Sequence, residues 1–143
     1  MKIRKTKKKD LKRIAEIFRT EYGKSPYNER WDKNTAMKKI KEYFKHYIVF
    51  SAEEKKEIVG FLMGSVEIWD DGKHGFIEEI VVSSEFQGKG YGKILVKYFE
   101  DFLKKKEAKR LDLFSHVKSK AFKFYKKIGF KKTEMVLMTK KLR

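Results

Sequence analysis

The 143-residue sequence contains no cysteine. That excludes disulfide staples, thiolate metal sites and any mechanism that parks an acyl group on a cysteine, and it suits a reducing, cytoplasmic setting. A single proline, Pro26, leaves few enforced breaks. No apolar run reaches the length needed to span a bilayer. The basic start, Met1-Lys2-Ile3-Arg4-Lys5, is followed by no apolar signal core. No internal repeat or low-complexity linker divides the chain, so residues 1–143 are expected to form one domain, large enough for a core without a metal. Acidic residues are scarce beside basic ones: 20 Asp and Glu against 37 Lys and Arg, a formal net charge of +17. The lysines come in dispersed pairs and triplets, from Lys7-Lys8-Lys9 to Lys140-Lys141. No arginine-rich segment or nucleic-acid motif accompanies them. Solvated surfaces account for such clusters, and so does attraction to an acidic partner such as coenzyme A or RNA.

What is present reads as mixed α/β. Met1 to Lys5 suits a short strand. Leu11, Ile14, Ile17 and Phe18 are spaced for one face of a helix with Asp10 in its first turn, broken at Gly23-Lys24-Ser25-Pro26. Asp32 or Asn34 can cap a second helix with Ala36, Met37, Ile40 and Phe44 inward. Strands are expected at Tyr47–Ala52 and Ile58–Trp69, then a hairpin turn at Asp70-Asp71-Gly72-Lys73, and a strand through Phe76–Val82 whose last residues are apolar on both faces. A helix with Ile94, Leu95, Tyr98, Phe99, Phe102 and Leu103 follows, then a strand at Leu111–Ser115, a helix around Tyr125 and a last strand within Phe130–Leu142. The first half reads antiparallel and the second βαβ-like.

Between the Phe76–Val82 strand and the next helix lies Gln87-Gly88-Lys89-Gly90-Tyr91-Gly92. A strand, a glycine-rich turn and a helix N-terminus together suit an anion: glycine lets the backbone approach it, and the first helical N–H groups have no partner inside the helix. The turn lacks the Gly-Lys-Ser/Thr ending of a P-loop and does not give the full dinucleotide fingerprint. Further on, Ala121-Phe122-Lys123-Phe124-Tyr125 leads into Gly129-Phe130.

The pattern Gln/Arg-x-x-Gly-x-Gly/Ala at Gln87–Gly92 resembles the acetyl-coenzyme A signature of the GCN5-related N-acetyltransferases, the GNAT superfamily. The Ala-x-x-Phe-Tyr-x-x-x-Gly-Phe stretch resembles that family's second motif. The two stand in the family's order and cover about the C-terminal half, Phe76 to Phe130. The resemblance implies a twisted mixed β-sheet flanked by helices and splayed near its centre. It implies direct acetyl transfer from acetyl-coenzyme A to a primary amine (polyamine, amino sugar, or peptide or protein amine), with no metal.

It also assigns roles. Gln87, Gly88, Lys89, Gly90, Tyr91 and Gly92 would hold the pyrophosphate. The backbone at Ile80, Val81 and Val82 would meet the pantetheine arm and face the thioester oxygen. Tyr125 would serve as general acid; packing beside Phe122 and Phe124 is the alternative explanation. Glu78 and Glu79 resemble the paired acidic residues of polyamine and glucosamine-phosphate members, and supply a candidate base. Strand neighbours point to opposite faces, so a single pocket takes only one of them unless the strand bulges; a salt bridge to lysine explains them equally. His116 is a reserve base.

Tyr27, Glu29 and Trp31, with Tyr22 and Pro26 nearby, are candidate acceptor-binding residues in an aromatic and acidic loop. Glu67 and Asp70 could add to that acidic pocket. Lys118-Ser119 stand where the family often carries asparagine, and the short stretch after Phe130 leaves little room for a long final hairpin, which opens the acceptor side. A basic binding module of the same fold, engaging RNA or an acidic protein, is the alternative of another class. The oligomeric state stays open, a homodimer included.

Overall fold

The computed structural model describes all 143 residues. One five-stranded sheet carries the fold, in the order β1 (Lys2–Lys5), β2 (Ile48–Glu54), β3 (Glu57–Trp69), β4 (Gly72–Val82), β5 (Ala108–Leu113). The first four strands pair antiparallel, and β5 joins β4 in parallel after a helical crossover. Helices α1 (Leu11–Tyr22) and α2 (Lys33–His46) precede β2; α3 (Tyr91–Lys105) links β4 to β5, and α4 (Lys120–Lys127) follows.

Alternation along β3 explains the layering, with its phase shifted where Val59 is an extra residue opposite β2. Ile58, Phe61 and Met63 join Ile14, Phe18 and Ile40 in one apolar cluster, under α1 and α2. Val59 and Leu62 join Leu95, Phe99 and Leu103 of α3 in the other. The helix α1 ends where Gly23 follows Tyr22, and Asp32 caps α2 by accepting from the Thr35 N–H at 2.8 Å. Asp10 stands just before α1; its buried carboxylate takes a two-pronged bond from Arg4 (2.8 and 3.0 Å) and the Lys7 N–H (2.7 Å), tying β1 to the helix start. No helix is long and apolar enough to cross a membrane.

Two features of β4 position the site. First, Glu79 stands opposite Met63 but Ile77 stands opposite Gly64, so Glu78 is an extra residue in the ladder, a β-bulge. Second, the pairing of β4 with β5 runs only from Lys73–Ala108 to Ile77–Leu113. Beyond Ile77 the two strands part, and residues 78–82 have no strand partner on that edge. This is the central splay that the sequence resemblance implied.

One expectation needs correction. Phe130–Leu142 does not form a strand: no residue of 129–143 belongs to a regular element, and residues 131–143 are all exposed. The apolar run Met135-Val136-Leu137-Met138 has strand character, but a strand exists only where a second backbone edge takes up its hydrogen bonds, and none within the chain does.

Candidate active site

A cavity of about 90 Å³ opens where β4 and β5 part. Its floor is Ile77–Ile80 of β4, its far wall Leu113–His116 at the end of β5, and its remaining sides are Tyr22, Tyr27, Ala121 and Tyr125. Both Glu78 and Glu79 line it. A regular strand would have sent one of them to the opposite face; the bulge turns both toward the same space.

Glu79 accepts a 2.5 Å hydrogen bond from the Tyr22 hydroxyl. Burial pushes its carboxyl up to about 6, and the Tyr22 bond opposes that rise by favouring the ionised form. Burial, then the Glu79 charge, drives the Tyr22 phenol far above its usual range, so it remains a donor. Glu78 is also raised, by burial; Ser65 gives it only a long 3.5 Å contact. Tyr125 is buried with its ring 5.7 Å from that of Phe130. Burial first, then the charges of Tyr27 and Glu79, holds its phenol above its ordinary value near 10. One wall atom, Ser115 Oγ, is fully buried with no hydrogen-bond partner in the chain.

The turn after β4 forms the second half of the site. Gly88 and Gly90 hold φ of +75° and +92°, and a Cβ on either would meet nothing within 4 Å. The N–H groups from Gly88 to Lys93 find no backbone acceptor. The result is an open cradle of amides at the start of α3. Tyr91 anchors it from below, buried and donating its hydroxyl to Glu54. Gly92 sits close to the Phe124 ring, where a Cβ would come within 3.3 Å. The Gln87 side chain turns back to donate to Val82 O at 2.7 Å. Lys89 Nζ lies 5.5 Å over the Phe86 ring. Glu21, at the end of α1, accepts from Ser84 N and Ser84 Oγ at 3.1 and 2.7 Å, clamping this turn to the helix.

Residues 11–130 match the acetyltransferase (GNAT) family. The chain belongs to that family. A curated relative, the uncharacterized N-acetyltransferase ycf52 of Pyropia yezoensis, is 32% identical over 96 residues, 66% of this chain and 54% of the relative. The chain thus matches only about half of the relative's length. Among solved structures, a possible acetyltransferase from Clostridium difficile 630 superposes with TM-score 0.85 at 17% identity, covering 99% of this chain and 97% of that one. The aminoglycoside N-acetyltransferase AAC(6')-Iy in complex with CoA gives TM-score 0.79 at 19% identity, covering 99% and 95%. Both likenesses establish the fold.

Within this GNAT scaffold the expected site residues fall into two groups. Tyr125, Glu78, Glu79, Ile80 and Tyr27 gather at the cavity, with His116 on its rim. Glu29 and Trp31 do not line it: Trp31 packs edge-on against Phe18 and donates its indole N–H to Glu29 at 2.7 Å. Val81 is buried in the cluster beneath α1 and α2. Ser119, of the Lys118-Ser119 pair, caps α4 by accepting from the Phe122 N–H at 3.1 Å. The role of Tyr22 as partner of Glu79 was not legible beforehand; the two lie 57 positions apart. The aromatic cluster around Tyr22 was the only available hint.

Proposed function

We propose that this chain transfers an acetyl group from acetyl-coenzyme A to a primary amine, with the amine bound at the Glu79 cavity and the pyrophosphate on the Gly88–Lys93 amides. The observation that carries the proposal is the adjacency of two complementary features at one splay: an open amide cradle and a cavity holding a carboxylate poised near neutrality. The cradle fits a diphosphate because its amides are unpaired and its glycines leave space above them. The free edge of residues 78–82 suits an arm carrying amide groups.

The bound donor would supply an acetyl group activated as a thioester. In this reading Glu79, mostly ionised at pH 7, takes one proton from the bound ammonium to leave a neutral amine; as that nitrogen's bond to carbon forms and the carbon–sulfur bond breaks, the nitrogen sheds its second proton to solvent. Glu78 adds negative charge that attracts an ammonium ion. A backbone N–H among residues 80–82 faces the oxygen that gains charge. Tyr125, held in its protonated form, donates a hydrogen bond to the departing sulfur. With no cysteine to carry the acetyl group, attack is direct.

The cavity has room for about three water molecules, hence for the aminoalkyl end of a longer molecule. That supports a polyamine, an amino sugar or a peptide amine presented end-on. A cytoplasmic setting and a single catalytic domain complete the proposal. The basic binding module gains no supporting observation: the lysine clusters lie on separate elements, before α1, at the ends of α3 and α4, and beyond. Thiol release from acetyl-coenzyme A, measured across polyamines, amino sugars and N-terminal peptides, tests the reading. Saturable release with at least one class is expected, and release with none would remove it.

A further inference from the structure

The last turn of α1 carries two adjacent side chains that reach different halves of the site. Successive helical residues project about 100° apart, so neighbours meet separate surfaces. Tyr22 turns to the cavity and donates to Glu79 at 2.5 Å. Glu21 turns to the segment between β4 and α3. Its carboxylate is only 12% exposed, and it accepts from Ser84 N at 3.1 Å, Ser84 Oγ at 2.7 Å and Gln87 Nε2 at 3.4 Å. Three donors from one turn thus converge on a group 63 to 66 positions away.

Gln87 extends this contact. The same Nε2 also donates to Val82 O at 2.7 Å. Val82 ends β4, and Gln87 opens the glycine turn, so one side chain ties Glu21 to both. Lys24 completes the knot: its Nζ lies 3.3 Å from the Glu21 carboxylate and donates to Ser84 Oγ at 2.6 Å, while that hydroxyl gives its own proton to Glu21. The base beneath is firm. Ile14, Ile17 and Phe18 of α1 are buried, and Arg13 Nε donates to Ile58 O at 3.3 Å. A turn with Gly88 and Gly90 has other backbone shapes within easy reach, so amides aimed at one point need an outside brace. A carboxylate beside a diphosphate site is otherwise unfavourable, because it repels the ligand. Its full set of donors from the turn points to bracing.

We propose that Glu21 is a positioning residue for the acyl donor: it holds the glycine turn and the Val82 end of β4 in the register that grips coenzyme A, while its neighbour Tyr22 serves the acceptor side alone. This role rests on the reading of the Gly88–Lys93 amides as the donor site. The two roles separate kinetically. Glu21→Gln keeps the size of the side chain and weakens the brace. The KM for acetyl-coenzyme A and the Kd for coenzyme A should rise about tenfold. Saturating donor restores the turn, so kcat, the KM for the amine and the acidic limb at about pH 6 stay as they were. Tyr22→Phe does the converse, moving the limb and leaving the coenzyme A Kd unchanged. The direction is diagnostic. Glu21→Gln makes the chain more positive, and attraction alone would tighten its hold on a polyanion.

Calorimetric titration with coenzyme A tests this without an acceptor. Glu21→Gln is expected to weaken binding about tenfold. Ser84→Ala removes one of the three donors and should weaken binding in the same direction by less, since the Ser84 N–H remains. The double variant should bind much as Glu21→Gln does, because the two changes act on one contact. Glu16→Gln makes the same charge change on an exposed part of α1, where Glu16 pairs only with Arg13, and should bind as the wild type does. Ser84 lies on an exposed turn outside the core, so its variant reports even where Glu21→Gln is unstable. Coenzyme A bound by the wild type and held as tightly by Glu21→Gln and Ser84→Ala would remove the role of Glu21 and leave the donor site standing. No uptake by the wild type would remove both. Weaker binding matched by an equal fall in kcat and in melting temperature would assign Glu21 to the fold and overturn the proposal.

Discussion

At the scale of single residues, the account rests on Glu79 and the phenol that holds it. In the proposed base role the active form of Glu79 is the ionised one, and with its carboxyl raised to about 6, kcat/KM should rise through about pH 6 and level off above it. Glu79→Gln should lower kcat/KM by about 10²–10⁴-fold and remove that limb; a pH–rate profile checks both. The same shift bears on stability. A carboxyl raised in the fold binds its proton before the unfolded chain does, so its contribution to stability declines as pH rises from 4.5 to about 6 and remains a cost above that. Glu79→Gln should therefore raise stability at pH 7, by at most about 2 kcal/mol, while leaving it nearly unchanged at pH 4. Paired melts at the two pH values measure this. Tyr22 acts through Glu79. Tyr22→Phe removes the bond that favours the carboxylate, and the acidic limb should move to higher pH. An unmoved limb with a uniformly lower rate would assign Tyr22 a packing role only.

At the scale of elements, the bulge in β4 and the close seating of α3 bring the parts together. Gly64 makes that seating possible: a Cβ there would lie 2.4 and 2.6 Å from Phe99 ring atoms and 3.1 Å from Phe76 O. Gly64→Ala should destabilise the fold by about 1–3 kcal/mol, read from the denaturant midpoint at unchanged slope. Much of this level was legible in the sequence. The spacing of Leu11, Ile14, Ile17 and Phe18 marked α1, Asp32 or Asn34 marked the start of α2 (Asp32 is the cap), and the glycines marked the turn before α3, because each signal is local. The bulge was not, since Glu78 departs from the ladder only by reference to β3, a strand it meets through long-range pairing. The apolar residues of 130–142 read as a strand by propensity, but propensity does not secure a partner, and no backbone strand of the chain pairs with them. Glu29 and Trp31 read as pocket residues by composition. The packing of Trp31 on Phe18 and its bond to Glu29 hold both outside the cavity lining, though the Glu29 charge still helps raise the Glu79 carboxyl, a choice set by tertiary contacts that spacing does not encode.

At the scale of the whole molecule, the family follows from two motifs in order, and the structure adds what the motifs cannot: a cavity, a carboxylate partner and an opening between β4 and β5. The net charge of +17 also acts at this scale. It raises the local concentration of a polyanionic donor and lowers that of a cationic acceptor. The KM for acetyl-coenzyme A should rise with ionic strength, while the KM for an amine held by Glu78 and Glu79 should change far less, because those groups lie partly shielded in the cavity. Steady-state kinetics between 20 and about 300 mM salt, with each substrate varied in turn, separates the two.

The central claim is that the amides opening α3 grip the diphosphate of the acyl donor. Titrating the ¹⁵N-labelled chain with coenzyme A and following each backbone amide tests it most directly. The account predicts saturable shifts that are largest from Gly88 to Lys93, accompanied by smaller ones at residues 78–82. Saturation with those amides unmoved, or no saturable shift anywhere, would contradict it.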